Sequence, residues 1–313
     1  MVSFILRRLL AGVVLIFVIS SATFLMLYAA SGDIARTILG QNASAEAVTA
    51  KAHQLGLDRP LLTQYFSWLG NAFKGDLGAS FFTSQPVVEG VSARVGVTLS
   101  LVIGATLLAA VVSTILGVWA AVRRGWVDKL VQGISILGFA VPNFLIAVAL
   151  VTVFAISMKV FKATGYVNLT DSFTGWLGTV TLPIIALSLG GIAGVTGQIR
   201  GSMVDALRQD YVRTLRSRGL PQGRVIFKHV LRNAGAPALS VLGVQFVGLL
   251  GGAVIVENIF AIPGIGQAAV LGGVQGDIPL VMGIVVFAAI IAVVVNLVID
   301  LAQGWLNPKV RVS

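Results

Sequence analysis

The sequence predicts an all-α integral membrane protein with six transmembrane helices and both ends cytoplasmic. Three observations carry this. Hydrophobic residues make up 57% of the 313, charged residues only 11%, and mean hydropathy is +0.95, whereas a soluble domain carries about 25% charge. Six long apolar runs contain no Asp, Glu, Lys, Arg or His. The basic residues gather between alternate runs, which marks cytoplasmic loops.

The first run, Leu9–Ala30, follows Arg7 and Arg8. At 1.5 Å per residue it is long enough to cross about 30 Å of hydrocarbon. A cleaved signal peptide is the rival reading, but the run exceeds the usual h-region. From Ser31 to about Arg94 the chain turns polar. It holds a predicted short helix, Ala45–Leu55, and a second starting at Pro60, a good first helical position. There Leu61, Tyr65, Leu69 and Phe73 recur at i+4 and form one apolar face.

Five more spans follow: Val97–Val122, Leu130–Ser157 with a kink at Pro142, Leu177–Ile199, Ala238–Val256 and Leu280–Ile299. The run Gly190-Gly191-Ile-Ala-Gly194 lets helices approach closely, so its span is expected in the interior. Residues 159–176 and the Gly-rich stretch Glu257–Pro279 read as loops. The predicted organisation is 1–30 as first span, 31–94 as extracytoplasmic subdomain, 95–306 as transmembrane core and 307–313 as cytoplasmic tail. With the N-terminus inside, fifteen of the 22 basic residues face the cytoplasm.

Composition also excludes functions. The net charge of +10 lies between apolar spans and faces anionic lipid, not nucleic acid. With no cysteine and two distant histidines, His53 and His229, no metal site is expected. Spans without titratable groups disfavour a proton-driven carrier. No Gly-Lys dipeptide exists, so the chain has no phosphate-binding loop for ATP. No nucleophile–base pair suggests catalysis, and Ser113 and Thr114 read as bonding back to carbonyls of their own helix. Energy for driven transport would have to enter through a partner docking on the inside.

The loop of about 200–236 is the candidate entry point. Eight basic residues lie between Arg200 and Arg232, against only Asp205 and Asp210. Gly219-Leu-Pro-Gln-Gly223 punctuates a turn between two predicted short helices. Tyr211 and Leu215 share a face of the first. Arg224, Lys228 and Arg232 form a basic face of the second, with Val225 and His229 on its rim and Ile226, Phe227 and Val230 as apolar contacts. The pair is either two interfacial helices touching lipid head groups or a rigid element that a partner can push.

Here the chain resembles a known family. Arg213-Thr-Leu215 followed by Gly219, with Pro237 closing the segment, is similar to the "EAA" loop of ABC importer permeases. Asp210-Tyr-Val-Arg-Thr214 with Arg216 and Gly219-Leu220 looks like the peptide and nickel branch. Three further segments agree in order and spacing: Leu55–Ser80, Val256–Gly266, and Val295–Asp300 with Asn307-Pro308. The departures are Arg213, Thr214 and Leu215 where the general pattern has an acidic residue and two alanines, Ala236-Pro237 for its final Leu-Pro, and Ala30-Ser-Gly-Asp-Ile34 without the branch's prolines.

The resemblance implies a type I importer permease fold in a bacterial inner membrane, moving di- or oligopeptides by alternating access. It implies a second permease subunit, two ATP-binding subunits that hold ATP and Mg, and an extracytoplasmic substrate-binding protein, with no cofactor on this chain. It implies ATPase coupling through Asp210, Tyr211, Arg213, Thr214, Leu215, Arg216, Gly219, Leu220, Arg224 and Lys228. Glu257 and Asp277 are candidates to face a peptide ammonium, and Asn258, Phe260, Pro263 and Gly264 to shape an outer gate. The same machinery importing a nickel chelate or a glutathione-like molecule is the nearest alternative. A self-sufficient channel or secondary carrier is the alternative from another class.

Overall fold

The computed structural model describes residues 2–30 and 34–306. Ser31, Gly32 and Asp33 of the Ala30–Ile34 departure, and the tail with Asn307, Pro308, Lys309 and Arg311, lie outside the described residues. The helices in chain order are α1 (Val2–Ala30), α2 (Ile34–Leu39), α3 (Ala45–Leu55), α4 (Leu61–Ala72), α5 (Val87–Arg123), α6 (Gly125–Ala140) and α7 (Asn143–Leu150). Then come α8 (Phe173–Leu207), α9 (Asp210–Ser217), α10 (Gln222–Arg224), α11 (Leu231–Ile259), α12 (Ile265–Gln275) and α13 (Ile278–Leu306). Wide π-helical turns extend α7 through Val151–Ser157 and join α10 to α11 through Val225–Val230.

Among the described residues, five helices are long and apolar enough to cross a membrane: α1, α5, α8, the run Gln222–Ile259, and α13. Helix α6 and the run Asn143–Ser157, α7 with its extension, pass the same test together but are bent by 92° at the break before Asn143. The expected kink is therefore a full break. Val141 is extended (φ −88°, ψ 120°), as steric conflict with a following proline favours, and Pro142 then starts α7. The link from α5 to α6 has no slack. Arg124 (φ 51°) and Gly125 (φ 64°) both adopt left-handed backbone, and α6 begins at once. The Gly-rich stretch expected as a loop holds α12, because Ile265, Ala268 and Gly272 bury one helical face.

The chain forms two compact units. One comprises residues 2–5, 99–262 and 294–306 among those described, with α8 at its centre. More than half of the most apolar part of α8 is buried, against a third or less for the other four long spans. Helix α8 packs on α6, α7 and α11. A Cβ on Gly117 of α5 would stand 2.8 Å from the Ile199 side chain and 3.1 Å from the Thr196 carbonyl, so those backbones touch. The Ser113 hydroxyl donates to the carbonyl of Ile192 on α8 (3.1 Å), so it stitches two helices together. Thr114 bonds back to Ala110 (2.7 Å), as expected of both.

The other unit comprises residues 6–30, 34–98 and 263–293. Helix α3 runs over the residues the sequence predicts, because Ser44 accepts from the Ala47 amide (3.3 Å) and Gly56 (φ 70°) closes it. In α4, Tyr65 is buried with Leu61, Trp68 and Leu69 around Phe24, Ile278 and Met282. The Tyr65 hydroxyl lies 2.7 Å from that of Ser21. Phe73 leaves the predicted face and is 80% exposed, since α4 ends at Ala72. Thr98 accepts the Ile265 amide (2.9 Å) and anchors the start of α12.

Candidate functional site

The basic stretch is more helical than its sequence suggests. Helix α8 runs on to Leu207, so Arg200 and Asp205 are helical. Residues Arg208 and Gln209 then lead into α9. The second predicted short helix is not separate. From Gln222 the chain coils without a break to Ile259, 38 residues in all. Pro221 starts that run, and Pro237 is accommodated within it.

Helix α9 is a small amphipathic block. Val212 is fully buried, and Tyr211, Leu215 and Leu220 are partly buried. They pack on Val195, Ile199 and Met203 of α8 and on Val225, Ile226 and Val230. Val225 therefore belongs to the core and not to the rim, and of the expected apolar contacts only Phe227 is exposed. The Asn233 amide donates to the Tyr211 hydroxyl (3.2 Å), tying α9 to α11. On the outer side Asp210, Arg213, Thr214 and Arg216 are exposed, with Asp210 and Arg213 3.7 Å apart. Arg224, Lys228 and Arg232 are exposed as well. Gly219 is left-handed (φ 76°) with open space around its Cβ position, so backbone conformation is what requires glycine there. The result is a mostly cationic projection seated on an apolar base.

A second feature escaped sequence reading. Arg200 of α8 grips Asp128, in the first turn of α6, through both carboxylate oxygens, with Nη2 to Oδ2 at 2.5 Å. The Gln132 amide also donates to Asp128 (3.0 Å). Bidentate geometry of this kind is strong and directional. Asp128 and Gln132 show the local i, i+4 spacing, but a partner 72 residues away leaves no local signal.

A third feature is an open-sided cavity of about 660 Å³ on the α8 unit. Its lining includes Phe139, Pro142, Val244 and the glycines 190, 191, 194, 248 and 252, with no charged residue. Two primary amides, Asn143 and Gln245, also line it. They rest on consecutive glycines: a Cβ on Gly190 would meet Asn143 Oδ1 at 3.1 Å, and one on Gly191 would meet Gln245 Nε2 at 1.4 Å. A second cavity of about 390 Å³ shares Phe139 and Gly194 with it and reaches Gln132 and Arg200. Thr196 lines this one, and its buried hydroxyl has no hydrogen-bond partner among the described residues. The glycine run was visible in the sequence, but the amides facing it were not.

The outer-gate candidates fall in both units. Glu257, Asn258 and Phe260 belong to the α8 unit, whereas Pro263, Gly264 and Asp277 belong to the other. Glu257 and Phe260 are buried at the end of α11. Asn258 is exposed, and its amide donates to the Val254 carbonyl (2.8 Å). Pro263 is exposed, and Gly264 precedes α12 in extended backbone. Asp277 is 1% exposed and accepts from the Ser80 hydroxyl (2.5 Å) and the Phe81 amide (3.1 Å). That carboxylate fastens a loop to the start of α13. Neither acid presents its carboxylate to a ligand in this conformation. Among the described residues, no three of His, Asp or Glu gather where they could hold a metal ion.

Residues 113–312 match the family described as binding-protein-dependent transport system inner membrane component, and residues 1–102 match its N-terminal part. The chain is 37% identical over 312 residues, 99% of each chain, to a Brucella abortus protein named as a peptide transport system permease. It is 35% identical over 98% of its length and 99% of the relative's to the peptide ABC transporter permease protein y4tP of Sinorhizobium fredii. It is 33% identical, over 99% of both chains, to the glutathione transport system permease protein GsiC of Escherichia coli strain K12. Among solved structures it is similar in fold to a chain of the inward-facing MetNI methionine ABC transporter, with TM-score 0.60 and 14% identity, covering 72% of this chain and all of that one.

Proposed function

Because the chain belongs to the family of binding-protein-dependent transport system inner membrane components, we propose that it is the membrane-spanning subunit of an ATP-driven importer of di- and oligopeptides. The observation that carries the substrate class is full-length similarity to relatives named as peptide permeases. In this reading the chain is a multi-pass inner-membrane protein that pairs with a second permease. Two ATP-binding subunits supply hydrolysis, with ATP and Mg on them and no cofactor here. An extracytoplasmic binding protein delivers the ligand. Residues 31–94 lie outside, residues 95–306 form the transmembrane core, and the tail 307–313 lies inside.

The α9 projection is then the ATPase contact. Asp210, Arg213, Thr214 and Arg216 face the motor, and Gly219 shapes the turn. Arg224 and Lys228 extend the same surface. Tyr211, Leu215 and Leu220 seat it on α8 and the start of α11, so a push on α9 moves packed helices as a rigid body, the ordinary route to alternating access. Glu257, Asn258, Phe260, Pro263 and Gly264 contribute to the outer end in a conformation other than this one. Asp277 acts there by holding its loop.

A second reading, import of a glutathione-like tripeptide, is favoured by the similarity to GsiC. Competition assays with the cognate binding protein separate the two. The general reading is tested by replacing Gly219 with tryptophan. Uptake and co-purification of the ATPase subunits are expected to fall together; intact uptake, with no ATPase retained by the unmodified chain, would refute it.

A further inference from the structure

The α8-unit cavity has the size of a small-ligand site, and its chemistry is narrow. The lining carries no ionised group, so a charged terminus placed against it would lose hydration without compensation. Its polar side chains are two primary amides and the Ser240 hydroxyl, which accepts from the Gln303 amide (2.9 Å). Among the described residues neither the Asn143 nor the Gln245 side chain has a hydrogen-bond partner. Each can donate and accept side by side, the complement of a peptide bond, which offers one C=O and one N–H. Both lie over adjoining glycines of α8, so one short ligand can meet both.

We propose that Asn143 and Gln245 read the amide bonds of the transported ligand, making this cavity a neutral amide-recognition site inside the permease. The inference rests on the import reading above and deepens it. Such a site favours ligands with at least one amide bond, including a γ-linked tripeptide, over single amino acids and metal chelates, whose polar groups are largely charged. Contact through backbone amides tolerates many side chains. The apolar walls and Val244, 76% exposed, accommodate these. Phe139, common to both cavities, stands where the ligand passes to the second.

Gln245 depends on Gly191. A Cβ at 1.4 Å from its Nε2 would evict the side chain, so Gly191→Ala should reproduce the Gln245 phenotype without touching the amide itself.

The test uses the complete transporter in proteoliposomes with saturating peptide-loaded binding protein. The unmodified complex is first assayed with a tripeptide; if it moves none, the import reading fails, independently of this site. Given uptake, Gln245→Met and Asn143→Leu, which keep approximate size but not hydrogen bonding, should each lower tripeptide turnover about fivefold, the scale of one neutral hydrogen bond. An analogue with an ester in place of one amide should be moved more slowly than the tripeptide by the unmodified complex and equally by the Gln245→Met complex. Unchanged turnover and an unchanged amide-to-ester ratio in both variants would overturn the proposal.

A second measurement covers variants that fail to assemble. The chain has no cysteine, so Val244→Cys supplies a single thiol in the cavity. Tripeptide should slow its maleimide labelling during turnover, and a free amino acid should not. Labelling indifferent to peptide, or no labelling in any condition because a neighbouring subunit covers the site, would equally overturn it.

Discussion

The α9 projection and the α8 cavity both depend on a glycine, for opposite reasons. Gly219 has a left-handed backbone and empty space around it. Gly191 sits in an ordinary helix with a neighbour's amide where its Cβ would be. One glycine supplies conformation, the other supplies room. The surroundings differ in the same sense. The projection shows Arg213, Arg216 and Arg224 outward and is fixed from beneath by a fully buried Val212. The cavity has no charge and few polar groups. The first suits a lasting grip by a large partner. The second suits brief, weak occupancy, which a transported ligand needs in order to leave.

The sharpest way to break this contrast is to unseat the projection. Val212→Asp places a carboxylate in the apolar base, which costs several kcal/mol unless α9 detaches. Uptake and ATPase co-purification should both be lost, while single-thiol labelling at Val244 persists. Removing one side of the Arg200–Asp128 pair comes next. Its partners are 28% and 16% exposed, so Arg200→Ala should cost about 2 kcal/mol, between exposed and fully buried pairs. Thermal unfolding of the purified complex measures it, and the Asp128→Ala double variant should recover part of the loss.

The two glycines can be compared directly. Gly219→Ala should cost about 1–2 kcal/mol through its left-handed backbone, and Gly219→Asn should restore much of the ATPase coupling, since asparagine tolerates that conformation. Gly191→Asn should give no such rescue of uptake, because room and not conformation is lacking. If asparagine rescues both or neither, the distinction between them is wrong. The smallest expected effect is that of Ser113→Ala, about 0.6 kcal/mol for an interhelical bond within a membrane, read as a slight drop in thermal stability.

What could be read in advance was local. Helix α3 is bounded by Ser44 and Gly56, both capping residues visible in sequence, and its limits agree to the residue. The apolar runs marked the spans because length and absence of charge suffice for that. Whatever depends on distant partners was hidden. Ser113 looked self-bonded because its acceptor lies 79 residues on. Asp277 looked available because Ser80 and Phe81, which hold it, belong to a distant loop. The stretch after Gly219 read as a short helix because a polar segment meets an apolar one there, while the backbone coils straight through the change. Asn143 and Gln245 carry no local signal, and only the glycines 190 and 191 packed against them set them apart.

That continuous coil has a simple mechanical consequence. At 1.5 Å per residue, the 38 residues Gln222–Ile259 make a rod of roughly 55 Å. Gln245 lies 23 residues along it. A tilt of one degree about the Gln222 end therefore displaces Gln245 by roughly 0.6 Å. Hydrogen bonds weaken sharply over such a step, from about 2.9 Å to about 3.5 Å. A motion too small to change the packing of the helices is large enough to loosen an amide's hold on whatever occupies the cavity.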